Sequence, residues 1–499
     1  MNIHRSLPAA LAGWASSRPA ALALDDLSYA ELSVRVLRTA GRLRELGVSP
    51  GDRVAIYSEN RHGFVFAYLG ALAAGAIVVP INVLYRSAEL EWLFADAAPR
   101  LICRSPASAQ FLGAGGGIAQ LDLAQLEAET ETGAMPAGDA LPALDPDAVA
   151  ILIYTSGTTG RSKGAMLTHR NLATIAAQLN EAWRWSAADT LYLALPLFHV
   201  HGLGAGLGGT LAAGARLRLR ARFDAADALA TLGRGEATMF FGVPTMYVRL
   251  LESASEKIRL PQVRLFVSGS AALPASVWEA FAARFGSEIL ERYGATEFGF
   301  ALSNRYDGPR FPGSVGFPLP EVEVRLVDGK GRELPAGEIG ELLVRGPNLF
   351  AGYWRNDAAT QAAFHTDSDG SRWYRSGDLA AFDPERGYSI AGRIKELIIT
   401  GGFNVYPIEV EEELMRIPGI RAAALVGKPD AARGELPVAF VEADAPFDAE
   451  AATATLQTRL ASFKVPKAIV CLDALPRNAM GKIERQRLRA GLEASEAKE

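Results

Sequence analysis

Residues 154–164 read YTSGTTGRSKG, from Tyr154 to Gly164, and they directly follow the apolar run of residues 149–153. A short apolar run that ends in turn-forming residues is typical of a buried strand. The glycines and small hydroxyl side chains of the loop leave backbone N–H groups free to surround phosphate oxygens, and Lys163 adds a positive charge. The loop lacks the Gly-Lys-Ser/Thr ending of the Walker motif. The stretch therefore predicts a strand followed by a phosphate-binding loop of another class.

Apolar runs alternate with helical patterns on both sides of this loop. Residues 54–57 and 77–80 read as strands, and residues 63–74 between them read as a helix. The same alternation returns between residues 190 and 267. Repeated strand–helix–strand units are typical of a parallel sheet with helices packed on its faces. We therefore expect the first two thirds of the chain to form parallel α/β sheets.

The pattern changes near residue 316. Residues 321–327 and 341–345 alternate apolar and polar side chains, which indicates a half-exposed antiparallel sheet. After residue 395 a compact α+β pattern follows, with helices at 409–416 and 453–460 and strands at 422–426 and 438–441. The predicted fold class is α/β: a large N-terminal domain (1–394) of parallel α/β sheets plus a β-rich subdomain, and a small, mobile C-terminal α+β domain (395–499).

Composition excludes several classes of function. The 499 residues are 49% hydrophobic, enough for more than one core. Lys and Arg (51) nearly balance Asp and Glu (56), so no basic surface for nucleic acid is expected. The two cysteines, Cys103 and Cys471, are far apart, which disfavours disulfides and zinc sites. No run of about 18 apolar residues occurs, so we expect a cytoplasmic protein without a membrane partner. Residues 7–14 read as a short helix, and residues 113–117 and 127–145 as surface loops.

Four further motifs accompany the loop: ERYGATE at 291–297, YRSGD at 374–378, GRIKE at 392–396 and PRNAMGK at 476–482. In this order the five segments resemble the adenylate-forming superfamily of acyl-CoA synthetases, adenylation domains and luciferases, and the resemblance runs essentially from end to end. It implies that a carboxylic acid is activated with ATP as an acyl-adenylate and is then transferred to CoA as a thioester.

The resemblance also implies the nucleotide site. The residues that it assigns to ATP are Thr155, Ser156, Gly157, Thr158, Thr159, Gly160, Lys163, Ala271, Ala272, Glu291, Arg292, Tyr293, Gly294, Asp378 and Arg393. Mg²⁺ would be held by Glu297 and Thr158, and the catalytic residues would be Lys482, Thr296, Glu297 and His199. The chemistry agrees, because a carboxylate that attacks a phosphate needs positive charge and hydrogen-bond donors to offset the developing negative charge. An ionised Asp378 offers two acceptor oxygens to the ribose hydroxyls.

The second half-reaction involves other residues of the C-terminal segment. By resemblance, the small domain rotates about Lys395 after adenylation, and Gly401, Gly402 and Phe403 then line the CoA channel. Hinges commonly lie at the ends of secondary-structure elements, which fits Lys395. Glycines permit close approach of the backbone to a ligand.

The acid is predicted from narrower matches. Residues 195–202, 241–249, 267–274 and 291–293 are similar to malonyl-CoA synthetases. The resemblance implies five substrate-binding residues: Arg249, Arg292, Ser270, His199 and His201. A dicarboxylate keeps one charged end after the other is adenylated, and a buried carboxylate needs cationic partners that arginine supplies in a planar fork.

Alternatives remain open at this point. Arg249 lies in a helical pattern and would read as an exposed helix residue without the resemblance, and the two histidines would read as core residues or as a gate over the adenylate. Ala295 and Phe298 depart from the usual motif and are candidates to reshape the acid pocket. Competing functions are a ligase for another small, aryl or fatty acid, an adenylation domain that loads a separate carrier protein, and an inactive binding protein. The expected partners are malonate, ATP and CoA, with a monomer or homodimer as the assembly.

Overall fold

The computed structural model describes residues 6–112, 117–133, 143–155, 162–254, 258–430, 433–444, 446–478 and 481–496. Its α-helices are α1 (Leu7–Ser17), α2 (Tyr29–Glu45), α3 (His62–Ala73), α4 (Ser87–Ala97), α5 (Pro106–Ala109), α6 (Leu123–Thr132), α7 (His169–Ala182), α8 (Gly209–Ala213), α9 (Ala225–Gly233), α10 (Pro244–Ser253), α11 (Ala275–Phe285), α12 (Asp357–Ala362), α13 (Pro407–Met415), α14 (Ala449–Arg459) and α15 (Arg485–Glu496). A π-helix spans His201–Gly208, and a 3₁₀ turn spans Ile394–Glu396.

The strands of the first half are β1 (Leu22–Leu24), β2 (Leu27–Ser28), β3 (Arg53–Tyr57), β4 (Ile77–Ile81), β5 (Leu101–Arg104), β6 (Ala119–Asp122), β7 (Val149–Thr155), β8 (Lys163–Thr168), β9 (Thr190–Leu193), β10 (Arg216–Leu219), β11 (Met239–Gly242), β12 (Leu265–Ser268) and β13 (Ile289–Tyr293). Those of the second half are β14 (Leu302–Ser303), β15 (Ser314–Pro318), β16 (Glu323–Val327), β17 (Gly340–Arg345), β18 (Gly352–Tyr353), β19 (Phe364–Thr366), β20 (Arg372–Asp383), β21 (Gly387–Arg393), β22 (Ile398–Thr400), β23 (Phe403–Val405), β24 (Ile420–Asp430), β25 (Gly434–Ala443) and β26 (Ala468–Cys471).

Two sheets of the large domain contain the predicted parallel strands. One has the order β18-β8-β7-β4-β3-β5-β6, and the strands from β7 to β6 are parallel. The other contains the parallel series β13-β12-β11-β9-β10-β1. Helix α3 is apolar on all sides, and every residue from Gly63 to Ala73 is buried, as expected of a helix enclosed in the core.

Strand β13 lies where the architecture changes. It pairs in parallel with β12 on one side and antiparallel with β14 on the other, and β14 leads into the antiparallel series β15-β21-β20-β17-β16. The β-rich subdomain predicted after residue 316 is therefore continuous with the second parallel sheet. This junction places the motif at 291–297 between the two kinds of sheet.

The small domain has a sheet of its own, in the order β23-β22-β25-β24 with β26 beside β25. Helices α13 and α14 pack on it through an apolar cluster that includes Val410, Leu414, Leu425 and Leu456. Contact with the large domain is close, because a methyl group added at Gly481 would lie 2.8 Å from Oγ1 of Thr245. The structure therefore holds the segment around residue 482 against the first turn of α10.

One predicted loop is wrong in part. Residues 127–132 were expected in a surface connection, but they form the second half of α6. The helix begins because Oδ1 of Asp122 accepts hydrogen bonds from the backbone N–H groups of Ala124 and Gln125, which caps its first turn. Residues 113–116 and 134–142 lie outside the described part of the chain. Among the described helices, none has the length and apolar character needed to cross a bilayer.

Candidate active site

The phosphate loop joins β7 to β8 as a hairpin. Thr155 and Lys163 are cross-strand partners at the base of the loop, and the predicted ATP ligands Ser156, Gly157, Thr158, Thr159 and Gly160 lie outside the described residues. The hydroxyl of Thr155 donates to Oε1 of Glu297 at 3.4 Å. The ammonium of Lys163 lies 5.1 Å from the ring centroid of Tyr353. The loop base therefore meets the motif at 291–297 across the domain.

Glu297 is the acidic centre of this region. Its side chain is buried, with a relative exposure of 8%, and Tyr353 donates to Oε1 at 3.0 Å. Burial raises the pKa of Glu297, and the hydrogen bonds from Tyr353 and Thr155 oppose that rise. Within the described residues it forms no ion pair. A buried carboxylate beside a phosphate loop fits Mg²⁺, which proteins bind through one or two carboxylates together with substrate phosphates. Thr296, its neighbour, is buried as well.

A second carboxylate, that of Asp378, lies on β20 of the β-rich subdomain. Oδ2 of Asp378 accepts a hydrogen bond from the Tyr293 hydroxyl at 2.5 Å, and Oδ1 pairs with Nε of Arg393 at 2.9 Å. The Asp378 charge is the main reason that the pKa of Arg393 rises. Three of the predicted ATP ligands, from three separate motifs, are therefore in direct contact.

Lys482 reaches the same region from the small domain. Its turn is closed by hydrogen bonds between Asn478 and Lys482, one of them from the Lys482 N–H to Oδ1 of Asn478 at 3.1 Å. Burial lowers the pKa of Lys482, and the positive charge of Arg393 lowers it further, while Glu396 and Asp378 oppose this. The predicted catalytic lysine is therefore near enough to the ribose-motif charges to be affected by them.

The remaining predicted nucleotide residues line the ends of β12 and β13. Glu291 is buried and accepts a hydrogen bond from the Gly313 N–H at 3.1 Å; its pKa rises to about 8, chiefly because of burial. Gly294 has no room for a side chain, since an added Cβ would lie 2.1 Å from the carbonyl oxygen of Gly299. Ala271 is partly exposed and Ala272 is exposed, in the turn that follows β12.

The other face of β13 forms a separate cluster around Arg292. Successive side chains of a strand point to opposite faces, so Arg292 points away from Glu291 and Tyr293. Nδ1 of His201 lies 3.2 Å from Oγ of Ser270. Phe300 stacks on the guanidinium, with its ring centroid 4.4 Å from Cζ of Arg292. His201 begins the π-helix, and a π-helical turn is a feature that often occurs at functional sites.

Arg292 is a buried cation without a counter-ion among the described residues. Its relative exposure is 4%, and Nε and Nη2 have no hydrogen-bond partner among the described residues. Burial lowers its pKa to about 9. Desolvation also lowers the pKa of His199 to about 4 and that of His201 well below its usual value, and the Arg292 charge lowers both further. At neutral pH the cluster therefore presents one cation and two neutral imidazoles.

Arg249, which the resemblance assigns to acid binding, lies apart from this cluster. It is exposed on α10, and its guanidinium lies 5.2 Å from the ring of Phe223. The helix turns Tyr247 and Leu250 into the core, so Arg249 points outward. Phe223 packs against Phe240, on the opposite face of the sheet from the Phe241 ring that contacts His201. The exposed-helix alternative describes this arginine.

Phe300, and not Phe298, lies beside the cluster around Arg292. The ring of Phe298 packs between Tyr293 and Tyr374, on the nucleotide side, rather than against the acid cluster. Phe300, which the sequence reasoning missed, contacts both Arg292 and His201. Ala295 is partly buried against the same core. The alternation of small and aromatic residues after Glu297 is the signal that could have identified Phe300.

The residues predicted for the second half-reaction lie elsewhere. Gly401 and Gly402, with φ of 58° and 82°, form the tight turn between β22 and β23, a conformation that favours glycine. Phe403 is 56% exposed and stacks on Phe463 at 4.6 Å between ring centroids. Lys395 is exposed within the 3₁₀ turn that leads into the small domain. Lys395 therefore lies two residues from Arg393, whereas Gly401, Gly402 and Phe403 lie in the hairpin of the small domain.

Comparison with known proteins covers nearly the whole chain. Residues 11–354 match the AMP-binding enzyme family, and residues 409–482 match the AMP-binding enzyme C-terminal domain. The chain is 37% identical to a feruloyl-CoA synthase of Amycolatopsis sp, with 92% of each chain covered. It is 34% identical to the mitochondrial malonate–CoA ligase ACSF3 of Mus musculus, with 92% of this chain and 86% of the relative covered.

The fold is shared with a solved structure of comparable length. The ATP-bound MatB from Rhodopseudomonas palustris superposes with a TM-score of 0.91 at 38% identity, covering 98% of this chain and 99% of that one. Both the sequence motifs and the two-domain α/β architecture are thus accounted for by one family. The chain belongs to the AMP-binding enzymes and is an adenylate-forming acyl-CoA ligase.

Proposed function

We propose that the chain is a malonate–CoA ligase, which uses ATP and CoA to convert malonate or methylmalonate into the CoA thioester with release of AMP and pyrophosphate. One observation carries the choice of acid: the buried guanidinium of Arg292 has no anion among the described residues. A buried charge is costly unless it is paired. An acid with a second carboxylate supplies the missing partner, whereas an apolar acid leaves the cation unpaired.

The surroundings of Arg292 support the same acid. Phe300 covers one face of the guanidinium, and the neutral His201 and Ser270 offer hydrogen-bonding groups beside it. A carboxylate beside a guanidinium accepts two parallel N–H bonds, which is the bidentate geometry typical of arginine. The similarity to a malonate–CoA ligase and to MatB agrees with this choice, and the similarity to a feruloyl-CoA synthase makes an aromatic acid the competing candidate.

The positions of the other residues support the following reaction. The free carboxylate of the acid attacks the α-phosphorus of ATP, and the bond to pyrophosphate breaks. Lys482 contributes positive charge between the two anions, and Asp378 with Tyr293 and Arg393 holds the ribose. Glu297, together with the loop hydroxyls, would hold Mg²⁺, which offsets phosphate charge when it is bound. The CoA thiol then attacks the acyl carbon, and AMP leaves.

The second half-reaction requires a different arrangement of the small domain. We propose a boundary between residues 394 and 395, with rotation about Lys395 that carries Lys482 away and brings Gly401, Gly402 and Phe403 to the acyl-adenylate. The 3₁₀ turn at this point and the exposed position of Phe403 support the proposal. The protein is proposed to act on small molecules in the cytoplasm, as a monomer or homodimer.

The test measures AMP release with ATP, Mg²⁺ and CoA for malonate, methylmalonate, acetate, ferulate and octanoate. We expect malonate to lead and acetate to be rejected by ~10⁴-fold, because acetate leaves a buried polar site unpaired. Arg292→Ala should lower kcat/KM for malonate by about 100-fold, as for loss of one partner of a buried charge pair. Arg249→Ala is the matched control, an arginine on the outer surface of α10, and should leave it unchanged.

Other outcomes have definite meanings. If ferulate or octanoate leads, the ligase chemistry stands and the dicarboxylate proposal fails. If Arg249→Ala lowers malonate turnover and Arg292→Ala does not, the acid is held by the arginine of α10, in a pocket different from the one proposed.

A further inference from the structure

Tyr353 lies at the edge of the first sheet, outside every motif that the sequence analysis identified. It belongs to the two-residue strand β18, and its backbone pairs with Ala165 on β8, the strand that follows the phosphate loop. Its side chain is buried, with 7% relative exposure. The tyrosine thus approaches the nucleotide region from the strand on the far side of the loop.

The hydroxyl of Tyr353 is directed at Glu297. It donates to Oε1 at 3.0 Å, and the hydroxyl of Thr155 donates to the same oxygen at 3.4 Å. The Tyr374 hydroxyl lies 3.5 Å from that of Tyr353, which extends the chain of hydroxyl groups to the strand that carries Asp378. Both side-chain donors therefore converge on one oxygen of the carboxylate.

Tyr353 has further contacts, one of them with a cation. Phe350 packs edge-on against the ring at 4.9 Å between centroids. The backbone N–H of Tyr353 donates to Oγ1 of Thr360 at 2.8 Å. The ammonium of Lys163 lies over the face of the Tyr353 ring. A cation over an aromatic ring is attracted without being neutralised, so this contact leaves the Lys163 charge available to phosphate.

We propose that Tyr353 is a positioning residue of the nucleotide site, which fixes Oε1 of Glu297 so that the other carboxylate oxygen is presented to the magnesium–ATP complex, and which holds Lys163 beside it. The inference rests on the proposed role of Glu297 as the magnesium ligand. Partners that orient a metal-binding carboxylate commonly affect metal affinity by 10- to 100-fold, although they never touch the metal. Tyr353 would therefore act through Glu297 and Lys163 and not on the reacting atoms.

The test uses Tyr353→Phe, which keeps the ring over which Lys163 lies and removes only the hydroxyl. ATP binding to the full chain is measured by calorimetry without any acid, so that no adenylate forms, with Mg²⁺ and with excess chelator. We expect the gain in ATP affinity that Mg²⁺ provides to fall by ~10-fold. The ATP affinity measured in excess chelator should change little. Mn²⁺ bound with ATP should show an altered paramagnetic resonance spectrum.

Tyr192→Phe is the matched control. Its hydroxyl also donates to a carboxylate from within the core, Oδ2 of Asp227 at 2.8 Å, but in the other parallel sheet. It should leave the Mg²⁺-dependent gain unchanged, and melting curves should show both variants folded. A purely structural role would instead weaken ATP binding equally in Mg²⁺ and in chelator.

Three results would overturn the proposal: an unchanged gain in Tyr353→Phe, an equal loss under both conditions, or the same loss in Tyr192→Phe. Glu297→Gln is included to test the underlying assignment. If it leaves the gain intact, Glu297 is not the magnesium ligand and the role of Tyr353 fails with it. The choice of acid is tested separately, because these measurements contain none.

Discussion

The hydroxyl of Tyr293 donates to Oδ2 of Asp378 at 2.5 Å, although the two residues lie on different kinds of strand. Tyr293 ends the last parallel strand of the second sheet, and Asp378 lies within the antiparallel subdomain. The bond therefore joins the two parts of the large domain at the nucleotide site. Because Arg393 holds the other oxygen, Asp378 is fixed from both sides before ATP arrives.

Removing the hydroxyl should weaken nucleotide binding. We expect Tyr293→Phe to raise the KM for ATP by about 10-fold, since a hydrogen bond to a charged group contributes roughly 1.5–3 kcal/mol. The KM for the acid should change little, because Tyr293 and Arg292 point to opposite faces of β13. Steady-state kinetics with each substrate varied in turn would measure both, and a larger effect on the acid than on ATP would contradict the assignment.

Gly269 provides a way to displace Arg292 without changing its charge. A methyl group at Gly269 would lie 2.5 Å from Cζ of Arg292, so the guanidinium must move. We expect Gly269→Ala to lower kcat/KM for malonate by ~10-fold or more, since misplacement of about 1 Å can cost 10²-fold. ATP binding measured by calorimetry should be retained. Malonate turnover equal to that of the wild type would show that the position of Arg292 is irrelevant to the acid.

Lys482 should serve only the first half-reaction. Its pKa is influenced by Asp378 and Arg393 at the nucleotide site, whereas Phe403 is exposed on the surface of the small domain. We expect Lys482→Gln to abolish adenylate formation, followed as pyrophosphate release, while a preformed malonyl-adenylate still reacts with CoA. An equal loss of both half-reactions would refute this division.

Glu291 should make stability depend on pH. Its pKa rises from 4.5 to about 8 in the folded chain, because of burial and, to a smaller extent, the charge of Glu412 on α13. Between these values the folded state binds more protons than the unfolded state, so stability falls as the pH rises, by about 1.4 kcal/mol per pH unit. Glu291→Gln cannot ionise and should gain in melting temperature relative to the wild type between pH 5 and pH 8. A constant difference across this range would contradict the raised pKa.

Most of the fold could be predicted from the sequence because its signals are local. The strands predicted at 54–57 and 77–80 and the helix predicted at 63–74 are continuous apolar segments. Each observed bound lies within one residue of the predicted one. The second half of α6 was missed because residues 127–132 are mostly polar and precede a Pro-containing stretch. Its stability comes from tertiary contacts, such as the ion pair between Arg61 and Glu127, which the local sequence does not reveal.

Site residues could be predicted where a sequence motif specifies them. They could not be predicted where the direction of a side chain determines whether it reaches the site. Tyr293, Asp378 and Arg393 were assigned from separate motifs, and the structure brings them into contact. Arg249 and Arg292 were both assigned from resemblance, and the strand position of Arg292 turns it inward. The phase of α10 relative to the core, which turns Arg249 outward, depends on how Tyr247 and Leu250 pack. Sequence periodicity predicts that a helix forms, but it does not predict which residues the exposed face of the helix will contact.

The buried guanidinium of Arg292 has no anionic partner among the described residues, so an anion bound beside it should stabilise the fold. Any small acid that fits the cluster and carries the matching charge should therefore raise the melting temperature before a bond is made, by an amount set by its concentration relative to its Kd. The rise in melting temperature can then identify the acid that binds, both in mixtures of metabolites and in a variant without catalytic activity. The melting temperature would thus report which acid binds beside Arg292.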